Sequence, residues 1–218
     1  IVFSSSAAVY GDQSVNPVDE TAETRNSLSP YATTKIVAES IVHDVVSSGT
    51  GLSAVILRYF NPIGAHPSGL LGEYPSEATS NVVQYLMLVA AKKRDKLVVF
   101  GNDYSTHDGS CIRDFIHIMD LARAHIATLE FLAKQEQQYF GVFNVGTGQG
   151  TSVLELIDIF KVMSGVELRH EIGPRRPGDI PVSFAKNTKI TEIMGWHAEF
   201  TVEDALRHAW QWQKKLDN

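Results

Sequence analysis

The 218-residue sequence is 44% hydrophobic and 20% charged, ordinary proportions for a globular chain able to bury a core. Its 19 Lys and Arg against 25 Asp and Glu give a formal charge of -6 at pH 7, which argues against nucleic acid or an acidic membrane as a partner. The single cysteine, Cys111, cannot close an internal disulfide, no apolar run approaches the ~18 residues of a membrane span, and no secretory pattern opens the chain; a cytoplasmic protein is expected.

Residues 1–5 predict a buried strand running into Ser4-Ser5-Ser6-Ala7-Ala8, at the carboxyl edge where open α/β sheets bind ligands. The chain enters this strand with no polar lead-in, so it is expected to be part of a longer protein. A polar loop follows over residues 11–28. Ser29 reads as an N-cap with Pro30 at the first helical position, and Gly49 or Gly51 as the stop; between them Val37, Ile41, Val45 and Val42, Val46 recur at helical spacing. Residues 52–59 form a second, nearly continuous apolar strand, and strand, helix and strand together predict a right-handed βαβ unit. The run 61–69 is too rich in Pro and Gly for a helix or central strand, and reads as a binding loop or a domain crossover. Further helices are predicted over about 81–94 and 120–134, from a Ser152 capping box to Met163, and from Thr201 through Trp212. Strands are predicted over 97–100, 141–145 and 168–172.

Tyr31 and Lys35 fall in the first turns of the predicted first helix, four residues apart and on one face. An ammonium held beside a phenol favours the phenolate, and the pair is then a usable general base. The plain structural alternative is an ordinary amphipathic helix start. For Ser6 it is the satisfaction of backbone groups at a strand end.

Neighbouring segments favour the chemical reading. The runs Phe3 through Gly11, Ser29-Pro30-Tyr31 through Lys35, Leu57-Arg58-Tyr59-Phe60-Asn61-Pro62 and Arg113-Asp114-Phe115-Ile116-His117 resemble, in order and spacing, the extended short-chain dehydrogenase/reductase superfamily. Asn61 through Gly69, Phe100-Gly101-Asn102-Asp103-Tyr104 and Arg175-Arg176-Pro177-Gly178-Asp179 narrow the resemblance to its UDP-glucose (UDP-galactose) 4-epimerase family, over nearly the whole chain. The resemblance implies an α/β fold: a partial Rossmann-like parallel sheet without its amino-terminal strands, plus a smaller mixed α/β substrate-binding region. Residues 1–60 would belong to the NAD domain and 61–218 mainly to the nucleotide-sugar domain, with about 110–146 returning to the former.

The resemblance implies NAD as cofactor, a UDP-hexose as substrate, and a homodimer packed through helices that include the one bearing Tyr31. Tyr31 would be the base and then the acid at the 4-hydroxyl, Lys35 would also hold the nicotinamide ribose, and Ser6 would bond the reacting oxygen. Ser4, Ser5, Tyr59, Phe60 and Pro62 would border the cofactor. Asn61 would bond the sugar diphosphate, Asn81 would contact the substrate, Arg113 and Arg176 would hold the pyrophosphate and ribose, Asp179 would accept from a ribose hydroxyl, and Phe100 would border the uracil. The surroundings Thr79-Ser80-Asn81-Val82-Val83 depart from the family's usual P-N-N-L, and Thr33, Thr34 and Ala8 are further departures. Ser183, four residues after Asp179, is small where relatives can carry Tyr, which implies room for an N-acetyl group and interconversion of UDP-GlcNAc and UDP-GalNAc as well.

Two alternatives compete with this reading. A nucleotide-sugar 4,6-dehydratase needs an Asp-Glu pair just after Ser6, where this chain has Ala7 and Ala8. A non-catalytic or truncated nucleotide-sugar-binding protein is suggested by the lack of a glycine-rich dinucleotide fingerprint before Ile1, and this chain alone is expected not to turn over. The eight histidines include no close i, i+4 pair, so no metal site is expected.

Overall fold

The structure is a computed structural model and describes residues 1–24, 29–74 and 81–216. The end of the predicted loop 11–28 and the residues Thr79 and Ser80 lie outside the described residues. Strand β1 (Val2–Ser6) passes into a 3-10 turn over Ala7–Tyr10, helix α1 (Pro30–Ser47) follows, and β2 (Ala54–Tyr59) pairs parallel to β1 with Ser4 opposite Leu57 and Ser6 opposite Tyr59. The chain continues through β3 (Asn61–Ile63), α2 (Val82–Ala90), β4 (Leu97–Phe100), β5 (Ile112–Arg113), β6 (Phe115–His117) and α3 (Ile118–Ala133). It then returns to the first sheet as β7 (Phe140–Val145), the other parallel neighbour of β2. The remaining elements are β8 (Thr151–Ser152), α4 (Val153–Ser164), β9 (His170–Gly173), β10 (Val182–Ser183), α5 (Thr188–Met194) and α6 (Val202–Leu216). The sheets order as β1-β2-β7, β10-β5-β8, β3-β6 and β4-β9.

Local signals explain many of the boundaries. The Ser29 hydroxyl accepts from the Ala32 N–H at 3.2 Å and Pro30 follows at the first helical position, where a missing N–H costs nothing. Ser152 and Glu155 close a reciprocal capping box at the start of α4. Helix α3 begins two residues before its predicted start because the His117 ring accepts from the Met119 N–H at 3.0 Å, a cap that no standard start signal announces. Residues 61–63 form a strand despite Pro62. Asn61 donates to Asp114 at 2.9 Å across the ladder, so Pro62 points away from β6 and its missing donor removes no rung. Helix α2 stops short of 94, with Lys92 at φ 59. Helix α5 and the short strands β5, β8 and β10 were not predicted.

The two larger of three apolar clusters among the described residues span most of the elements. Leu86 of α2, Leu156 and Phe160 of α4 and Leu206 of α6 form one; Leu57 of β2, Phe143 of β7, Leu121 of α3 and Trp196 form the other. Full burial of a side chain such as Leu57 or Phe160 contributes about 1.5–3 kcal/mol. Of the valines and isoleucine that recur at helical spacing on α1, Val46 is buried, whereas Val37, Ile41 and Val45 are 52%, 57% and 40% exposed. The residues that α1 buries are Ala32, Glu39 and Val46.

Candidate active site

Strand alternation sorts the three serines at the end of β1. Successive side chains point to opposite faces, so Ser4 and Ser6 share one face and Ser5 takes the other. The Ser5 hydroxyl is buried and donates to Glu39 of α1. The expectation that the Ser5 side chain borders a cofactor is therefore corrected, for the physical reason that α1 covers its face. On the open face, Lys35 Nζ donates to the Ser4 carbonyl at 2.9 Å and lies 5.7 Å from the centre of the Tyr31 ring. Ser6 Oγ accepts from the Ala8 N–H at 3.2 Å, capping the 3-10 turn and keeping its own proton to donate outward.

Tyr59 joins this group from β2. Its hydroxyl lies 2.6 Å from both Ser4 Oγ and His125 Nε2. The other ring nitrogen of His125 meets the Leu121 carbonyl at 2.9 Å, which can only accept, so His125 Nδ1 carries the proton and Nε2 is an acceptor. Tyr59 therefore donates to His125 and accepts from Ser4. Burial pushes the Tyr59 phenol up, and the Ser4 contact opposes the shift.

A cavity of about 610 Å³ is lined by Asn61, Pro62, Asn81, Phe100, Arg113, Arg176 and Asp179, with Cys111 also in its lining. A second cavity of about 330 Å³ is lined by Ser6, Tyr59, Phe60 and Ser183, and by the same Asn61, Arg113, Arg176 and Asp179. These four residues thus form a wall between the cavities. On that wall Arg176 donates to Asp179 through Nε at 3.1 Å and Nη2 at 2.9 Å, and Arg113 Nη2 approaches the same carboxylate at 3.5 Å. Two guanidinium groups around one carboxylate leave a local surplus of positive charge in an acidic protein. The bond to Asp179 holds Arg176 above its ordinary range, and its guanidinium lies over the Phe100 ring at 5.5 Å.

The wall is held from behind by Asp114, fully buried next to Arg113. Its carboxylate accepts from the Thr147 N–H and hydroxyl at 2.8 and 2.7 Å, the Gly148 N–H at 3.0 Å and the Ala185 N–H at 3.1 Å. Burial pushes this carboxyl up and the hydrogen bonds oppose the shift. Gly146 is required here, since a Cβ would lie 2.4 Å from Asp114 Oδ2. Pairing of Arg113 with Ser183 across β5 and β10 brings the 183 position to the same wall.

The structure thus gathers Ser4, Ser6, Tyr31, Lys35 and Tyr59 at one strand edge, and Asn61, Asn81, Phe100, Arg113, Arg176, Asp179 and Ser183 around the adjoining cavities. Asn81 spends its side-chain oxygen on the N-cap of α2, accepting from Val83 at 3.0 Å. Phe60 is 7% exposed and packs with Val9 and Tyr10, reaching only the second cavity. Sequence reading missed Glu39, Arg58, Asp114 and His125. Of these, Glu39 carried a signal: it lies one further turn along the face of Tyr31 and Lys35. Among the described residues, no group of three or more His, Cys, Asp or Glu could hold a metal, and no helix is long and apolar enough to cross a membrane.

The arrangement of a Tyr-Lys pair at a parallel-sheet edge beside an Arg-lined cavity is that of a nucleotide-dependent α/β enzyme family. The chain belongs to the NAD dependent epimerase/dehydratase family, which it matches over residues 1–146. It is 44% identical over 218 residues to a UDP-glucose 4-epimerase of Dictyostelium discoideum, covering 100% of this chain and 63% of the relative. Its structure is similar to that of UDP-glucose 4-epimerase from Stenotrophomonas maltophila with bound NAD and formylated UDP-arabinopyranose, at TM-score 0.95 and 46% identity, covering 99% of this chain and 63% of that one. The Bifidobacterium longum UDP-glucose 4-epimerase in complex with NAD+ and UDP gives TM-score 0.94 and 41% identity, covering 100% and 64%. The chain therefore spans less than two thirds of the length of these relatives.

Proposed function

We propose that the natural protein interconverts UDP-galactose and UDP-glucose at C4 through a 4-keto sugar, using tightly bound NAD, in galactose metabolism in the cytoplasm. The observation that carries this reading is the wall of Asn61, Arg113 and Arg176 between two cavities, with Phe100 on one side and Ser6 on the other. A nucleotide sugar laid across it would set its diphosphate on the guanidinium groups, its base against Phe100 and its hexose toward Ser6.

The residues at the strand edge fit NAD by their donor chemistry. An ammonium has three N–H donors and the Ser4 carbonyl takes one from Lys35, so others can meet ribose hydroxyls, with Tyr31 and Tyr59 alongside. NAD, when bound, would supply both the acceptor for the C4 hydride and, once reduced, the donor that gives it back to the opposite face of C4, ending each cycle as NAD+. Tyr31 takes the proton of the 4-hydroxyl and returns it to the keto oxygen after the sugar has presented its other face. Lys35 sets its ammonium beside the Tyr31 ring, and Ser6 donates to the reacting oxygen and holds it in place.

On this reading residues 1–60 and about 110–146 serve the cofactor, and the rest mainly the nucleotide sugar. The natural protein is a homodimer, a reading supported by the exposed apolar strip of Val37, Ile41 and Val45 on α1, which a second copy would bury. The test is an NADH-coupled assay of UDP-glucose formed from UDP-galactose, run on the 218-residue chain and on the natural polypeptide. Turnover by the natural polypeptide and none by the chain alone is the expected result; turnover by neither sinks the reading.

A further inference from the structure

Helix α1 carries Tyr31 and Lys35 but buries few residues, and one of them is charged. Glu39 stands one turn beyond Lys35, itself one turn beyond Tyr31, so the three side chains share a face. Glu39 Oε1 accepts from Arg58 Nε at 3.0 Å and Oε2 from Arg58 Nη2 at 2.6 Å, while the Ser5 hydroxyl donates to the same Oε1. Glu39, Arg58 and Ser5 are all buried. One carboxylate therefore joins the helix to β1 and β2, next to Ser4 and Ser6 on the first strand and Tyr59 on the second.

The network continues. The Arg58 guanidinium lies 4.8 Å from the centre of the Tyr10 ring, and the Tyr10 hydroxyl donates to Asn144 of β7 at 2.6 Å, so all three strands of the sheet are tied to the helix. Arg58 Nη1 is buried without a hydrogen-bond partner, so its guanidinium leans on Glu39 and the Tyr10 ring. Burial pushes the Tyr10 phenol up to about 12, with Arg58 opposing, which keeps it a neutral donor to Asn144.

We infer that Glu39 and Arg58 are positioning residues for the Tyr31 and Lys35 pair: their buried two-point ion pair sets the rotation and height of α1 against the strand edge. Apolar contacts alone tolerate sliding and rolling of a helix, whereas paired N–H to carboxylate bonds are directional. Val37, Ile41 and Val45 face outward, and the apolar anchors of α1 include Ala32, Ile36 and Val46, whose side chains make no directional bond. This inference rests on the epimerase reading of the Tyr31 site.

The experiment separates positioning from stability. In the natural polypeptide, the double variant Glu39→Leu/Arg58→Met replaces the pair with apolar groups of similar bulk, an exchange that often preserves stability. Glu39→Asp keeps the charge and shortens the reach. Melting temperature, UDP affinity and kcat are measured for both. The inference requires at least one variant to melt within about 4 °C of the parent, bind UDP within about twofold, and lose about 10- to 100-fold in kcat. It is overturned if kcat stays within about twofold of the parent, or if in both variants activity falls only in step with the folded fraction or with UDP affinity. An inactive parent protein would refute the epimerase reading instead, so the two failures are distinct.

Discussion

Lys35 holds its ammonium 5.7 Å from the centre of the Tyr31 ring while donating to the Ser4 carbonyl at 2.9 Å, so the strand end fixes the cation beside the phenol. Tyr31 is 55% exposed, and its removal disturbs no core contact. Tyr31→Phe is expected to lower kcat by about 10²- to 10⁴-fold with an unchanged melting temperature. Groups acting as a unit are not additive, so Tyr31→Phe/Lys35→Met should lose little more than the worse single variant. Steady-state kinetics on the three variants in the natural polypeptide checks this, and a fully multiplicative loss would show that the two act separately.

Ser183 lines the same cavity as Ser6 and pairs with Arg113 across β5 and β10. A tyrosine there would fill space beside the sugar end of the proposed site. Ser183→Tyr is expected to abolish interconversion of UDP-GlcNAc and UDP-GalNAc while leaving that of UDP-glucose and UDP-galactose within about threefold, a discrimination built from steric exclusion. Equal loss on both substrate pairs, measured by product chromatography, would remove the assignment.

The strip of Val37, Ile41 and Val45 repeats every four residues on the exposed face of α1. Introducing a charge into such a strip makes its burial against a second copy costly. Ile41→Glu should convert a dimer of the natural polypeptide to a monomer in sedimentation equilibrium, with far-UV circular dichroism unchanged. A monomeric parent protein would exclude this interface.

His117 provides the pH dependence. Its ring is fully buried, accepts from the Met119 N–H, stacks on Phe200 at 4.3 Å, and places Nε2 2.9 Å from His208 Nδ1. Burial, and then the neighbouring His208, hold it down at about 4 against an ordinary 6.5. Between these values the unfolded chain binds the proton and the folded protein does not. Stability is therefore intact above about pH 6.5 and is lost as pH falls toward 4, by about 2–3 kcal/mol. His208, also lowered chiefly by burial, acts in the same direction. Asp19, held at about 2 mainly by the Thr21 N–H, contributes stability that is lost only as pH falls below about 4, a separate window. Urea unfolding at pH 7 and 4.5 should show the loss, and His117→Gln should flatten it.

The sequence alone made much of this site legible. Ser29 and Pro30 mark the start of α1, the four-residue interval puts Tyr31 and Lys35 on one face, and the motif runs name Arg113, Arg176, Asp179 and Ser183, which do meet around one wall. These are local signals: caps, helical spacing and turns act across a few neighbouring residues, where chain order and spatial order coincide. Other assignments needed the packed molecule. Ser5 turned away from the cavity because α1 covers its face of β1, and the stripe of Val37, Ile41 and Val45 faced outward while Glu39 faced in. Glu39 meets Arg58 across 19 residues of chain, and Asp114 collects donors from as far as Ala185. Which face of a strand or helix is covered, and which buried charge finds which partner, depends on the desolvation of groups brought together from distant parts of the chain. For that reason the Tyr31 and Lys35 pair can be read from a four-residue interval, and the ion pair that seats it cannot.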